Sequence, residues 1–328
     1  MTPAPAPFRL IAAPFTPFGT DGGLNLAAVA EQAELLADNS VTGAFICGTT
    51  GESMSLTCDE RRQLTEAWMK AAAGRFDVIV HVGHTCQRDA MDLAAHAARH
   101  KATSIAAMGP CFHKPASPEA LADFCAPIAA AGGDLPFYYY HIPIMTAVPM
   151  SMATFLPIAA KRIPTLVGLK YSHEDLVDLS ACIALDNGRW EILFGKDEIL
   201  LTALPMGIRG AVGSTYNFMA PLYQRVIAAY DAGDLATARQ EQLRSIELIR
   251  MSGRFGGAAF AALKDLMRRL GVDCGAPRSP LTSLTPAQSA ELDKELARLE
   301  FDSYCSKTPS RPAKKSAGSA SAAPARTS

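Results

Sequence analysis

Eight short β-rich runs alternate with longer segments of helical periodicity between Phe8 and about Tyr230, and this alternation limits the folds open to the chain. The runs predicted as strands are 9–15, 43–47, 78–82, 104–108, 136–140, 165–170, 192–194 and 210–213. The segments predicted as helices lie near 26–38, 59–73, 87–100, 118–130, 151–161, 174–185, 197–205 and 219–231. Strands and helices in alternation form a parallel sheet with crossover connections. Eight such units over roughly 220 residues predict an α/β fold of the (β/α)8 TIM barrel type.

A doubly wound open sheet is the alternative arrangement of alternating strands and helices. Folds of that kind more often have a glycine fingerprint after the first strand, with the spacing G-x-G-x-x-G. The corresponding stretch here is TPFGTDGG, residues 16–23, which lacks this spacing. The barrel is therefore the preferred prediction.

The sequence predicts three parts, of which the catalytic barrel is the first, at residues 1–232. Three further helical stretches, about 233–251, 255–270 and 286–299, have no strand among them and predict a C-terminal helical extension over 233–305. The last segment, 306–328, is rich in Ser, Ala, Pro and Lys with little apolar bulk, so we expect a disordered basic tail.

Composition and charge narrow the possible partners and compartment. The formal net charge of −1 includes five basic and no acidic residues in 306–328, so the remainder is mildly acidic and shows no basic footprint for nucleic acid. The eight cysteines stand singly, without a C-x-x-C pair, as expected of reduced thiols in the cytosol. Neither a signal peptide nor an apolar run of about 18 residues is present. We therefore expect a cytoplasmic protein that binds neither nucleic acid nor membrane.

The carboxyl ends of the strands are where a TIM barrel places its active site. Five of the predicted strands end in polar or glycine-rich sequence: GTTGES (48–53), YYYHIP (138–143), GLK (168–170), FGKDE (194–198) and GSTYN (213–217). These strand ends supply the candidate site residues.

Lys170 is the most informative of these residues, because it follows the apolar strand TLVGL. Strand alternation puts Leu166, Gly168 and Lys170 on one face, so Lys170 points into the barrel if Leu166 does. An amine among apolar groups loses its proton more readily, and a neutral amine can form a Schiff base with a ketone. The alternative is a strand-end lysine that reaches solvent or an acidic partner.

Tyr140 is a candidate proton-transfer partner for that amine. Tyr138 and Tyr140 share one face of their strand and Tyr139 takes the other, so one phenol can point at the barrel mouth. A phenol can both donate and accept the proton that Schiff-base chemistry moves. Packing of aromatic rings is the alternative role for all three tyrosines.

Two other strand ends offer polar groups. Thr49 and Thr50 in GTTGES, with the free amides of a glycine-rich turn, suit a small carboxylate, although the same residues could form an ordinary tight turn. Asp197 and Glu198 are adjacent and point in different directions, which argues against a glycosidase pair. They could bind substrate hydroxyls or favour a helix N-terminus.

The spacing of the histidines resembles that of a metal-binding site only superficially. His96 and His100 lie four residues apart in HAARH, but no Glu follows the first His, so the H-E-x-x-H motif is absent and a solvated helix face is expected. His81 and His84 flank a strand end without an obvious third ligand. We expect no metal and no cofactor.

Taken together, the five strand ends resemble the N-acetylneuraminate lyases, within the pyruvate-dependent class I aldolases that include dihydrodipicolinate synthase. The similarity runs from about Phe8 to about Asp302, and FYYYHIP and GAVGSTYN resemble the animal-type lyases in particular. The resemblance implies that Lys170 forms the Schiff base with pyruvate, that Tyr140 transfers the proton, and that two residues hold the pyruvate carboxylate. These two are Thr49 and Thr50.

The resemblance also implies which residues contact the sugar: Ser172, Gly195, Asp197, Glu198 and Ser214. The implied reaction is the reversible, cofactor-free cleavage of N-acetylneuraminate to N-acetylmannosamine and pyruvate, and the implied assembly is a homotetramer. Aldol cleavage of another 2-keto-3-deoxy sugar acid and non-catalytic sensing of a sugar acid are the alternatives.

A dihydrodipicolinate synthase carries an arginine shortly after its tyrosine motif, whereas Ile144 and Met145 follow the motif here. It also has a second tyrosine in the loop after strand four, where this chain has Phe112. Both differences argue against a dicarboxylate substrate. One departure from the lyases is Ala147, where they often have glycine, a residue that tolerates backbone angles that alanine resists.

Overall fold

Eight parallel strands close into a barrel in chain order, each pairing with the next and β8 with β1. The strands are β1 (Arg9–Ala12), β2 (Gly43–Ile46), β3 (Asp77–His81), β4 (Ser104–Met108), β5 (Phe137–His141), β6 (Leu166–Tyr171), β7 (Glu191–Phe194) and β8 (Gly210–Gly213). This computed structural model describes residues 7–308. The closed sheet confirms the TIM barrel and excludes the doubly wound alternative.

Twelve α-helices occur among the described residues. They are α1 (Ala27–Asp38), α2 (Cys58–Ala72), α3 (Gln87–Arg99), α4 (Pro118–Ala131), α5 (Pro143–Thr146), α6 (Met152–Ala160), α7 (Leu176–Ala184), α8 (Leu200–Ala203), α9 (Tyr216–Asp231), α10 (Leu235–Gly253), α11 (Ala259–Arg269) and α12 (Pro286–Arg298). Within residues 7–308, no helix is both long and apolar enough to cross a membrane.

The predicted helix at 197–205 is wrong as a single element. The chain forms two short 3-10 turns, Asp197–Ile199 and Leu204–Met206, on either side of the four-residue α8. Two causes are visible: Pro205 has no N–H to continue a helix, and the Gln242 side chain bonds the backbone at Asp197 and Leu201.

Two apolar clusters hold the barrel together. The inner cluster fills the barrel with side chains that include Ile11, Phe45, Ile79, Tyr138 and Leu193. The larger outer cluster lies between the strands and the helices. Because both faces of every strand are buried, polar side chains on the strands are confined to the strand ends, where the barrel opens.

Lys170 points into the barrel, but the premise from which its direction was predicted is wrong. The pairing of β5 with β6 shifts register between Phe137 and Tyr138, so Phe137 pairs with Leu166 and Tyr138 with Gly168. Leu166 consequently packs in the outer cluster, although Lys170 lies on the inner face. At this shift β6 has one residue more than β5, between Leu166 and Gly168. The extra residue turns Gly168, and with it Lys170, toward the inside of the barrel.

The solvated face expected for the α3 histidines is also wrong in part. His96 is buried and His100 is exposed. His96 is buried because it lies beside Leu93 and Ala97 on the face of α3 that packs against the rest of the protein.

The helices after the barrel pack directly on it, with α10 against α9 and α11 against both. Beyond α12, Ser306 is buried and its backbone amide donates to the Phe218 carbonyl at 2.7 Å, and the Lys307 amide donates to Asn39 Oδ1 at 2.7 Å. The packed chain therefore continues into the segment predicted as tail. The rest of that segment, 309–328, lies outside the described residues, and the three-part division stays a prediction.

Candidate active site

A cavity of about 220 Å³ opens at the carboxyl ends of the strands. Eight of the nine predicted site residues line it: Thr50, Tyr140, Lys170, Ser172, Gly195, Asp197, Glu198 and Ser214. The ninth, Thr49, contacts the cavity wall through a 3.1 Å hydrogen bond between its hydroxyl and that of Tyr140. The structure thus brings the five strand ends together around one space.

Lys170 is buried on the inner face of β6, with 4% of its surface exposed. Its Nζ lies 3.8 Å from the centre of the Phe45 ring and 4.1 Å from that of the Tyr140 ring. Burial lowers the pKa of this amine from 10.5 to about 7, and the Asp197 carboxylate opposes the shift. A substantial fraction of Lys170 is therefore neutral, and nucleophilic, at neutral pH.

The Tyr140 hydroxyl is directed at the same space. It contacts the Thr49 hydroxyl and also interacts with Ser172. Burial nevertheless raises the pKa of Tyr140 to about 12, so the phenol is protonated at neutral pH. A protonated phenol is a hydrogen-bond donor. It can take up a proton only if it transfers its own proton to another group.

His81 supports Tyr140 from inside the barrel and was considered from sequence only as a metal ligand. Its ring stands edge-on to the Tyr140 ring, with centroids 5.6 Å apart, and its Nδ1 lies 2.8 Å from the Cys47 carbonyl oxygen. Burial, followed by the positive charge of Arg61, lowers the pKa of His81 well below 6.5. This neutral ring fixes the position of Tyr140 without adding charge near Lys170.

Asp197 is held rigidly at the edge of the cavity. Its Oδ2 accepts hydrogen bonds from the backbone amide and the hydroxyl of Thr215, at 2.9 and 2.6 Å. Burial raises the pKa of Asp197 to about 6 in spite of these bonds, and the carboxyl stays mostly ionised at neutral pH. Thr215 is a residue that sequence reasoning missed, although it lies inside the GSTYN motif.

Two glycines allow these side chains to approach the backbone. A Cβ atom on Gly195 would overlap Ser172 Oγ, and one on Gly213 would overlap the Asp197 carboxylate. Glycine at these two strand ends is therefore required by close packing of the polar wall.

The rim of the cavity carries a second charged group. Lys196 binds both Glu174 and Glu198, with nitrogen–oxygen distances of 2.8 Å in each case. Glu198 is thereby fixed as a hydrogen-bond acceptor that can still reach a ligand. Neither Lys196 nor Glu174 was identified from the sequence.

The C-terminal helices contribute directly to the site, which the sequence did not predict. Ile249 and Ser252 of α10 and Leu263 of α11 line the cavity opposite the strand ends. Helical periodicity alone gives no indication of which face of α10 or α11 meets the barrel mouth.

Glu52, in the GTTGES turn, forms a buried ion pair with Lys264 of α11. The nitrogen and oxygen lie 2.8 Å apart and both side chains are 2% exposed. The second oxygen of Glu52 accepts the Arg278 backbone amide at 2.8 Å, and the Thr16 hydroxyl donates to the Gly51 carbonyl at 2.6 Å. Glu52 also has a positive φ of 53°, an angle that these contacts maintain. The turn that presents Thr49 and Thr50 is thus anchored to the C-terminal extension.

Lys264→Met is expected to destabilise the protein by about 3–5 kcal/mol, because it leaves the Glu52 carboxylate buried without a partner. We also expect a higher KM with a smaller change in kcat, since the turn that presents Thr49 and Thr50 to the cavity loosens. Denaturant unfolding and steady-state kinetics measure the two effects. The double variant Glu52→Gln/Lys264→Met is the control and should recover most of the stability; equal losses in both variants would contradict the role of the ion pair.

The pKa of Lys170 leads to a second expectation. If the neutral amine is the reactive form, kcat/KM should rise with pH and level off above an apparent pKa near 7. Rates measured between pH 5.5 and about 9, over the range in which the protein is stable, test this. A flat profile across pH 6–8 would contradict a reactive amine with this pKa.

A barrel with a buried amine, a protonated phenol and a polar wall at its strand ends has the groups that Schiff-base enzymes use. The chain matches the dihydrodipicolinate synthetase family over residues 6–299 and belongs to that family.

Individual relatives are similar over most of the chain. It is 40% identical to N-acetylneuraminate lyase A of Xenopus laevis over 277 residues, which are 84% of this chain and 90% of the relative. It is 37% identical to N-acetylneuraminate lyase of Homo sapiens over 303 residues, 90% of this chain and 93% of that protein. The structure of Proteus mirabilis N-acetylneuraminate lyase superimposes with a TM-score of 0.86 and 37% identity, covering 90% of this chain and 99% of the other.

Proposed function

We propose that the chain is a lyase that cleaves N-acetylneuraminate reversibly to N-acetylmannosamine and pyruvate through a Schiff base on Lys170. The observation that carries the proposal is the Lys170 amine, buried against two aromatic rings with a pKa near 7, inside a cavity that also holds the Tyr140 hydroxyl. The N-acetylneuraminate lyases of Xenopus laevis and Homo sapiens support the choice of substrate.

The reaction starts with attack of the neutral Lys170 amine on the C2 ketone of the open-chain substrate, which loses water to form an iminium. The C4 hydroxyl then gives up its proton, the C3–C4 bond breaks, and its electrons move into the iminium as an enamine. This step releases N-acetylmannosamine as the aldehyde. Protonation of the enamine at C3 and hydrolysis of the iminium release pyruvate and restore the amine.

Tyr140 is the proposed proton carrier for bond cleavage. Because its pKa is about 12, it begins protonated and can take the C4 proton only while passing its own to another group. The substrate carboxylate, held by Thr49 and Thr50, is the proposed relay. The hydrogen bond between the Thr49 and Tyr140 hydroxyls supports this arrangement.

The rest of the cavity suits a polyhydroxylated chain better than a second carboxylate. The proposed sugar contacts offer hydroxyls, carboxylates and, at the glycine, backbone groups to the ligand: Ser172, Gly195, Asp197, Glu198 and Ser214. Of the cations among the described cavity residues, Lys170 is the proposed nucleophile and Lys196 already binds two carboxylates. Ile144, which also lines the cavity, carries no charge for a dicarboxylate.

Ala147 has a φ of 52°, in the left-handed region that glycine adopts easily. Ala147 therefore has a backbone angle that glycine would adopt without strain, at a cost of about 1 kcal/mol. This angle supports the proposed match to the lyase motif, in which glycine often stands at this position.

A homotetramer in the cytoplasm completes the proposal. The resemblance to the lyases supports the tetramer, as do the apolar side chains of Phe112, Ile144 and Val177, each more than three quarters exposed on the single chain. Light scattering after size exclusion tests the assembly, with a mass of four chains expected.

A panel of 2-keto-3-deoxy sugar acids assayed for pyruvate release tests the substrate. The expected result is the highest kcat/KM on N-acetylneuraminate. Faster release from another sugar acid would identify a different aldolase, and binding of N-acetylneuraminate without any release would favour a sensor.

A further inference from the structure

His96, His100 and Glu66 form a cluster on the outer helices α2 and α3 that the proposed reaction does not use. His96 lies in the last turn of α3 and His100 directly follows the helix, with ring centroids separated by 4.4 Å, and Glu66 faces both from α2. Glu66 Oε1 lies 3.3 Å from His96 Nε2 and 3.8 Å from His100 Nε2. One donor atom from each residue lies within 4.8 Å of the other two.

The short distance between Glu66 and His96 is not a hydrogen bond. His96 Nε2 is shielded from solvent and has no hydrogen-bond partner in the described structure, even though the carboxylate oxygen is close. The His96 imidazole also has a hydrogen bond with the backbone of Arg62. Nε2 is therefore a buried ring nitrogen that faces a carboxylate oxygen without bonding it, and a neutral imidazole nitrogen is the commonest metal ligand in proteins.

An imidazole nitrogen and a carboxylate oxygen that lie 3.3 Å apart without a hydrogen bond between them can be bridged by a metal ion. For bonds of about 2.0–2.1 Å, the ligand atoms of a tetrahedral zinc site lie roughly 3.3 Å apart. Glu66 Oε1 lies at similar distances, 3.3 and 3.8 Å, from the two imidazole nitrogens. A backbone hydrogen bond to the ring, as Arg62 provides for His96, is a partner that metal-ligating histidines usually have.

We propose that His96, His100 and Glu66 form a transition-metal site of the zinc type, which leaves a fourth position for water and joins α2 to α3. Imidazole and carboxylate ligands suit zinc, cobalt and nickel. Arg99 is the nearby charge that opposes cation binding. The cluster of Cys58, His84 and Asp89 is a weaker candidate, because His84 Nδ1 already accepts the Cys86 amide at 2.9 Å.

The test is calorimetric titration of the untagged full-length protein with ZnCl2. We expect one tight zinc ion per chain, with affinity reduced about tenfold or more in Glu66→Gln and in His100→Ala. Zinc should raise the melting temperature of the wild type and not of these variants. Both substitutions are at exposed positions, so the variants should fold, and melting curves without metal check this. With Co²⁺ in place of zinc, we expect the intense visible absorption of a four-coordinate site.

Two control variants distinguish zinc binding at this cluster from zinc binding at other histidines. His84→Ala, in the weaker cluster, and His113→Ala, at an exposed position, should titrate as the wild type does. Two results would overturn the proposal: no zinc binding near neutral pH, or unchanged affinity in both Glu66→Gln and His100→Ala.

Discussion

Lys170→Met should abolish pyruvate release from N-acetylneuraminate, with a loss of roughly 10⁴-fold or more, because it removes the amine proposed to form the iminium that accepts the electrons of the broken bond. The variant should also fail to form the stable adduct that borohydride and pyruvate produce on the wild type. Mass spectrometry of the digested protein locates that adduct. Lys196→Met is the matched control, since Lys196 lines the same cavity, and it should keep the adduct on Lys170.

The same variant should be more stable than the wild type at low pH, which separates loss of chemistry from loss of folding. The folded pKa of Lys170 is about 7 against 10.5 for the free side chain. The unfolded chain therefore binds more protons between these values, and wild-type stability rises with pH across that window. Methionine has no amine to protonate, so it avoids the cost of burying a charge or giving up a proton on folding. The free energy of unfolding of Lys170→Met should therefore exceed that of the wild type by on the order of 3–5 kcal/mol at pH 6, and by progressively less toward pH 10. An adduct on another lysine, or residual turnover in a folded variant, would contradict the mechanism.

Tyr140→Phe should lower kcat by about 10²–10⁴-fold, the usual contribution of a positioned proton-transfer group. The ring that packs against Lys170 is kept, so borohydride should still trap pyruvate on Lys170 in this variant. The combination of a trapped adduct with slow turnover distinguishes a role in bond cleavage from a role in positioning the amine. Steady-state kinetics and trapping with the same preparation give both readouts.

Tyr138→Phe is the matched control for Tyr140→Phe. The two tyrosines lie two residues apart on the inner face of β5, but the Tyr138 hydroxyl donates to Glu191 at the start of β7, the opposite end of the barrel from the cavity. We expect its kcat within about threefold of the wild type, with some loss of stability for the missing hydrogen bond. Equal losses of kcat in the two variants would show that the effect comes from packing.

Much of the fold was predictable because it follows from local patterns. Each of the eight strands was located to within a few residues, and the strand ends indicated where Lys170, Tyr140 and the polar wall would meet. The predictions that were wrong concern features that depend on contacts between distant segments. The helix expected at 197–205 is interrupted by Gln242 from α10, and the direction of Leu166 is reversed by its pairing with β5.

By itself, the sequence determined that this protein has eight β/α units and an amine at the end of the sixth strand, because periodicity and strand ends are properties of neighbouring residues. Only the tertiary structure decided how reactive that amine is, since its pKa depends on Phe45, Tyr140 and Asp197 from three other strand ends. The tertiary structure also decided that α11 anchors the GTTGES turn and that Glu66 meets His96. These are pairings between distant residues, and no local pattern encodes them.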